Sequence, residues 1–175
     1  MLRNTVRTIL CTGLLVVPFV VRPQAAQAAK IGGTISATLS INEDSELVGN
    51  VTCTVSGLPC LDIVASNVTL ELNGFSVTGL ADSQTGCGGN AGSAAEHGIR
   101  ILGQTGVAIH GPGIVQRFRN QGIIINGSVG TIVTGVTTST NCNSGIFLTG
   151  GAALSVLENN ISIRNGTTLA PCGGI

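Results

Sequence analysis

The sequence predicts an all-β fold, a solenoid built from stacked coils, and two observations lead there. Gly-Ile recurs at Gly98-Ile99, Gly122-Ile123, Gly145-Ile146 and Gly174-Ile175, with intervals of 24, 23 and 29 residues. A period in that range is the mark of a repeat architecture, in which one unit cannot bury its apolar face alone. Within each repeat the apolar residues alternate. Counting each glycine as zero, offsets 1, 3, 9 and 11 hold Ile99, Ile101, Val107 and Ile109, then Ile123, Ile125, Thr131 and Val133, then Ile146, Leu148, Leu154 and Val156. Alternation within each pair is the period-two signature of a strand with one buried face, and its return at equal offsets means that like positions stack. Offset 16, with Ile114, Thr138 and Ile161, adds a third apolar position, so each coil is expected to contribute three short strands. The glycine at offset zero is read as supplying turn angles that a Cβ resists.

Composition agrees and excludes other classes. The 175 residues carry 8 Lys+Arg against 8 Asp+Glu, only 9% charged residues and 43% hydrophobics. That is too apolar for disorder and offers no basic surface for nucleic acid. Trp and Tyr are absent and Phe occurs four times, so the core must be aliphatic. The missing rings also disfavour a stacking platform for sugars.

The amino terminus reads as an address. Arg3 and Arg7 precede an uncharged apolar run over residues 8–21, and Ala26-Gln27-Ala28 has the small-x-small pattern of a cleaved leader. The run is shorter than the roughly 20 residues of a spanning helix. Residues 1–28 are therefore expected to be a signal peptide, and the protein to be secreted, periplasmic or at the cell surface, with no membrane span afterwards. Removing the leader takes away Arg3, Arg7 and Arg22 and leaves a mildly acidic chain with five cysteines.

Residues 29–50 are expected to be cap strands with Ile35, Leu39 and Ile41 apolar, residues 51–175 the repeats, and residues 80–96 a glycine-rich loop insertion. Ile175 falls at offset 1 of a new coil, so the sequence stops where a strand should begin. The expectation is a chain truncated within the solenoid, with a second subunit covering that edge as the alternative. The repeat resembles the right-handed parallel β-helix of pectin-lyase-like secreted proteins. Residues 68–79 (VTLELNGFSVTG) and 43–53 (EDSELVGNVTC) are similar to the opening coils of that family. The resemblance covers about residues 51–175 and implies an architecture rather than an activity.

Chemistry-bearing residues are sparse. Cys53 and Cys60 flank a Ser-Gly-Leu-Pro turn and suit a local disulfide. Cys142 and Cys172 precede Gly-Ile pairs on adjacent coils, where the strand spacing of about 4.8 Å lies within disulfide reach. Cys87 is then left over. No Cys or His spacing suits zinc, and no cofactor is expected. Enzymes of the resembling family work with calcium-binding carboxylates and a basic residue, or with clustered aspartates. Outward offset 2 instead holds Arg100, Ile124 and Phe147, and Asp44, Asp62 and Asp82 are scattered. Arg117-Phe118-Arg119 could grip a carboxylate or sulfate bidentately. Arg100, with Glu96 or Glu71 as neutralising neighbour, and His97 in Glu96-His97-Gly98 are the other ligand-binding candidates; His110 reads as a surface residue. Outward Ile124, Ile132, Phe147 and Leu157 suggest an apolar patch for a protein partner. The function expected is an exported, non-catalytic scaffold or binding surface for a polysaccharide or a protein at the uncapped edge. The alternative is the amino-terminal part of a polysaccharide lyase or glycoside hydrolase.

Overall fold

The computed structural model describes residues 27–80, 87 and 95–166, which form thirteen strands and no helix. In chain order the strands are β1 (Ala29–Ile35), β2 (Leu39–Ile41), β3 (Ser45–Cys53), β4 (Leu61–Ile63), β5 (Thr69–Glu71), β6 (Ser76–Thr78) and β7 (Ile99–Leu102). They continue as β8 (Ala108–Gln116), β9 (Ile123–Asn126), β10 (Ile132–Ser139), β11 (Ile146–Thr149), β12 (Val156–Glu158) and β13 (Ile161–Ile163). Every strand pairing is parallel. One sheet runs β2-β4-β7-β9-β11, and the other eight strands form the second. In that second sheet the long strands serve two rows. The first half of β8 pairs with β5 and the second half with β6, while the two halves of β10 pair with β12 and β13. Along the chain the strands pass back and forth between the two sheets, each pairing parallel with its sheet neighbours.

The register makes columns. Leu61, Ile99, Ile123 and Ile146 are successive partners, and all four are fully buried. Ile63, Ile101 and Ile125 form the next column, and Leu70, Ile109 and Val133 a third, facing it from the other sheet. Each fully buried side chain contributes on the order of 1.5–3 kcal/mol before the entropy of ordering it is subtracted. The inward positions expected in the first two repeats are all buried, Thr131 included.

The third repeat departs from expectation. Val133 pairs with Leu157 rather than Val156, while Asn126 still pairs with Thr149. One residue more lies between these points than in the preceding coil, in the turn around Gly150 and Gly151, which both have positive φ. Because side chains alternate, a shift of one exchanges the faces. Leu157 therefore packs against the core, whereas Leu154 is 82% and Val156 41% exposed. The first coil has its own extra residue at Pro112, where the register with β10 shifts. Offset 16 consequently does not point inward in these two coils: Val115 and Ser162 align with buried Thr138, and Ile114 and Ile161 face out.

The repeat glycines are also explained differently. Gly98, Gly122 and Gly145 are not among the positive-φ residues. A Cβ on Gly98 would stand 2.5 Å from the Gly122 carbonyl oxygen and 2.5 Å from Val115 Cγ1, and one on Gly122 would stand 2.7 Å from the Gly145 oxygen. These glycines let one coil approach the next at a corner.

Two disulfides join the described residues. Cys53 and Cys60 are bonded, as their spacing suggested. Cys142 is bonded to Cys87, not to Cys172, which lies outside the described residues. Cys87 and Cys142 are both buried, so the insertion is fastened to the corner preceding β11. Stacking pairs alone omit such a contact, because Cys87 belongs to no repeat position. Residues 1–26 of the expected leader and most of the loop insertion at 80–96 also fall outside the described residues.

Candidate functional site

Of the four ligand-binding candidates, Arg100, His97, Arg117 and Arg119, only Arg117 and Arg119 line the same cleft. Arg100 is the third residue in an outward row of Ser40, Asp62, Arg100, Ile124 and Phe147. Its Nε donates to Asp62 Oδ1 at 2.9 Å and its Nη2 to Oδ2 at 2.6 Å. This bidentate bond holds the guanidinium above its ordinary pKa. Arg100 is therefore neutralised by Asp62, the register partner one coil below, and not by Glu96 or Glu71. Those two carboxylates serve other partners. The missed signal was the stacking itself, since 38 residues separate a pair that parallel register makes adjacent.

His97 is buried, and burial drives its pKa down from 6.5 to about 4, with nearby Arg100 acting in the same direction. Gln121 and Asp62 favour the imidazolium more weakly. His97 Nδ1 and Gln121 Oε1 both lack a partner of hydrogen-bonding geometry. A neutral, enclosed imidazole cannot serve as a cationic ligand for a polyanion.

Arg117 and Arg119 line a small cleft of about 70 Å³ with Glu96, buried Phe118, Gly79, Leu80 and the Cys53–Cys60 loop. Glu96 organises it. Its Oε1 accepts from the Gly57 N–H at 2.8 Å and from Ser56 Oγ at 3.2 Å, and lies 3.6 Å from Arg119 Nη1. The carboxylate is largely shielded while the Arg119 side chain is 41% exposed. Arg117 adopts φ 59°, and the N–H of the next residue, Phe118, donates to Asn141 Oδ1 at 3.1 Å. The tripeptide expected to grip an anion thus forms one wall of a depression, with Glu96 beside Arg119 rather than beside Arg100 as the sequence suggested.

His110 lies outward on β8, its Nδ1 2.8 Å from Glu71 Oε1. Both side chains are more than a third exposed. The hydrophobic surface is scattered: Phe147 is 38% and Ile132 41% exposed, on different sheets, and Leu157 has turned inward. Among the described residues no group of three or more His, Cys, Asp or Glu side chains could hold a metal ion, and no helix is long and apolar enough to cross a membrane. Comparison with protein-family models, with curated proteins and with solved structures returned no match.

Proposed function

We propose that the chain is a secreted, right-handed parallel β-helix repeat protein of the pectin-lyase-like kind, working as a non-catalytic scaffold or binding surface outside the cell. The observation that carries this reading is the unbroken parallel register from β2 to β11, with successive strands 22, 38, 24 and 23 residues apart. Parallel strands joined by crossovers within a sheet are right-handed in nearly all proteins, which supports the handedness. Two disulfides support an oxidising compartment, and the leader pattern of residues 1–28 supports export. The Arg117–Arg119 cleft, where the Arg119 side chain is 41% exposed, is the place this reading assigns to an anionic group of a polysaccharide.

A binding role is tested by incubating the exported protein with polyuronates and following both retention and product. The expected result is retention on a polyuronate gel, weakened by Arg117→Ala and Arg119→Ala together, with no unsaturated or reducing ends formed. Turnover by this chain alone would replace the scaffold with the alternative, a part of a polysaccharide lyase or hydrolase.

A further inference from the structure

Hydrogen bonding divides the charged groups of the Arg119 cleft into a fixed one and an open one. Glu96 is fixed. Its side chain is 12% exposed, and its Oε1 accepts from the Gly57 N–H at 2.8 Å and from the Ser56 hydroxyl at 3.2 Å. Its backbone oxygen accepts from the Asn120 N–H at 3.3 Å. A carboxylate tied through both backbone and side chain stays in place when a ligand arrives. Arg119 is the open group, 41% exposed, with Nη1 3.6 Å from Glu96 Oε1. At that separation the pair attracts but is not hydrogen-bonded, so Glu96 orients the guanidinium without using its N–H donors.

Size and charge then say what the open group can take. The cleft, about 70 Å³, is far smaller than the roughly 300–1,000 Å³ of pockets that enclose a whole small molecule. It admits a charged substituent while the sugar ring bearing it stays outside. A chain without Trp or Tyr has no platform for that ring in any case. The charged groups among the described lining residues are Arg117, Arg119 and Glu96, two positive and one negative. A second negative charge on the ligand meets the Glu96 carboxylate, where shielding from water leaves the repulsion weakly screened.

We infer that Glu96 is a specificity-determining residue, which limits the cleft to acid groups of single charge, a uronate carboxylate or a sulfate ester, and turns away the doubly charged phosphate monoester. This rests on the proposed binding of an anionic polysaccharide and names the acid group that reading leaves open. Arg119 supplies the contact, since its planar fork offers two parallel N–H bonds to a pair of ligand oxygens, which an ammonium group does not. Glu96 supplies the selection, through its charge and through the position it gives Arg119.

Affinities of the exported protein for three galactose-based oligomers of equal length test this, one bearing carboxylates, one sulfate esters and one phosphate monoesters. They are measured at pH 8, where the phosphate monoester carries nearly two charges. Wild type is expected to bind a singly charged oligomer about three- to tenfold more tightly than the phosphate oligomer, and the tighter of the two singly charged oligomers names the acid. Glu96→Gln keeps an oxygen for Gly57 and Ser56 while removing the charge, and should reduce that preference about tenfold. Glu96→Asp, which keeps the charge, should keep the preference. Arg119→Lys should weaken the singly charged oligomer about three- to tenfold.

A wild type that takes the phosphate oligomer as tightly as the others overturns the inference. So does a Glu96→Gln protein in which all three affinities change by one factor, because Glu96 then only holds the 54–59 loop, and so does a Glu96→Asp protein that has lost the preference. Each of these results leaves the binding surface standing. A wild type of β-rich circular dichroism with no affinity for any of the three overturns the inference and the polysaccharide-binding reading together.

Discussion

At the residue scale the stack is governed by what each inward position can satisfy. Thr131 occupies an aliphatic column, is fully buried, and its Oγ1 has no hydrogen-bond partner. Removing an unsatisfied buried hydroxyl while keeping the side-chain shape is favourable. Thr131→Val should stabilise the protein by about 1 kcal/mol in urea unfolding, and an unchanged or lower midpoint would show that the hydroxyl is paired. His97 gives the opposite lesson. Its native pKa, about 4, lies below the unfolded value of 6.5, so between these the unfolded chain binds the proton that the folded one refuses. Stability contributed by the neutral imidazole is complete above pH 6.5 and is lost as pH falls towards 4, by about 3 kcal/mol in all. Unfolding free energies measured from pH 7 to pH 4 should fall less steeply for His97→Gln than for wild type, and parallel curves would contradict the burial.

At the element scale the third coil is where counting from glycine fails. The alternation of β7 and β9 is legible because their turns have equal length, so Ile99, Ile101, Ile123 and Ile125 land inward together. One more residue in the turn before β12 reverses that strand, and nothing in the Val-Leu-Glu of β12 announces which apolar residue faces the core. The reversal predicts unequal costs. Leu157→Asn should destabilise by about 1–2 kcal/mol, since it removes a partly buried aliphatic side chain, while Val156→Asn should lie within about 0.5 kcal/mol of wild type. Equal effects, or the reverse order, would restore the simpler count. The Cys87–Cys142 bond closes a segment of 55 residues in sequence separation. Chain-entropy reasoning gives such a crosslink about 4 kcal/mol. Cys142→Ser should therefore lower the thermal midpoint and open residues 80–96 to limited proteolysis. A midpoint and cleavage pattern like the wild type's would mean that the bond carries neither role.

At the scale of the whole molecule, the sequence announces its columns more plainly than its site. Periodic aliphatic residues report one another's positions because each lies over its counterpart. Site contacts are harder to count: Asp62 and Arg100 are register partners, but 38 residues separate them because the insertion over 80–96 lengthens that interval, and Glu96 is drawn to Arg119, Ser56 and Gly57 by the way a loop folds back. Arg117 and Arg119 were identifiable as a basic pair around a ring, but their cleft depends on the disulfide loop opposite. His97 was read as a polar candidate, whereas its place one residue before the tightly packed Gly98 buries it.

Ile99, Ile123 and Ile146 lie one above another as successive register partners. Methyl-labelled isoleucine in the exported protein makes it measurable by nuclear Overhauser contacts. Strong cross-peaks from Ile99 to Ile123 and from Ile123 to Ile146, with Ile101 to Ile125 beside them, are predicted from partners at about 4.8 Å backbone spacing. Absence of the Ile99–Ile123 contact in a folded sample would contradict the account.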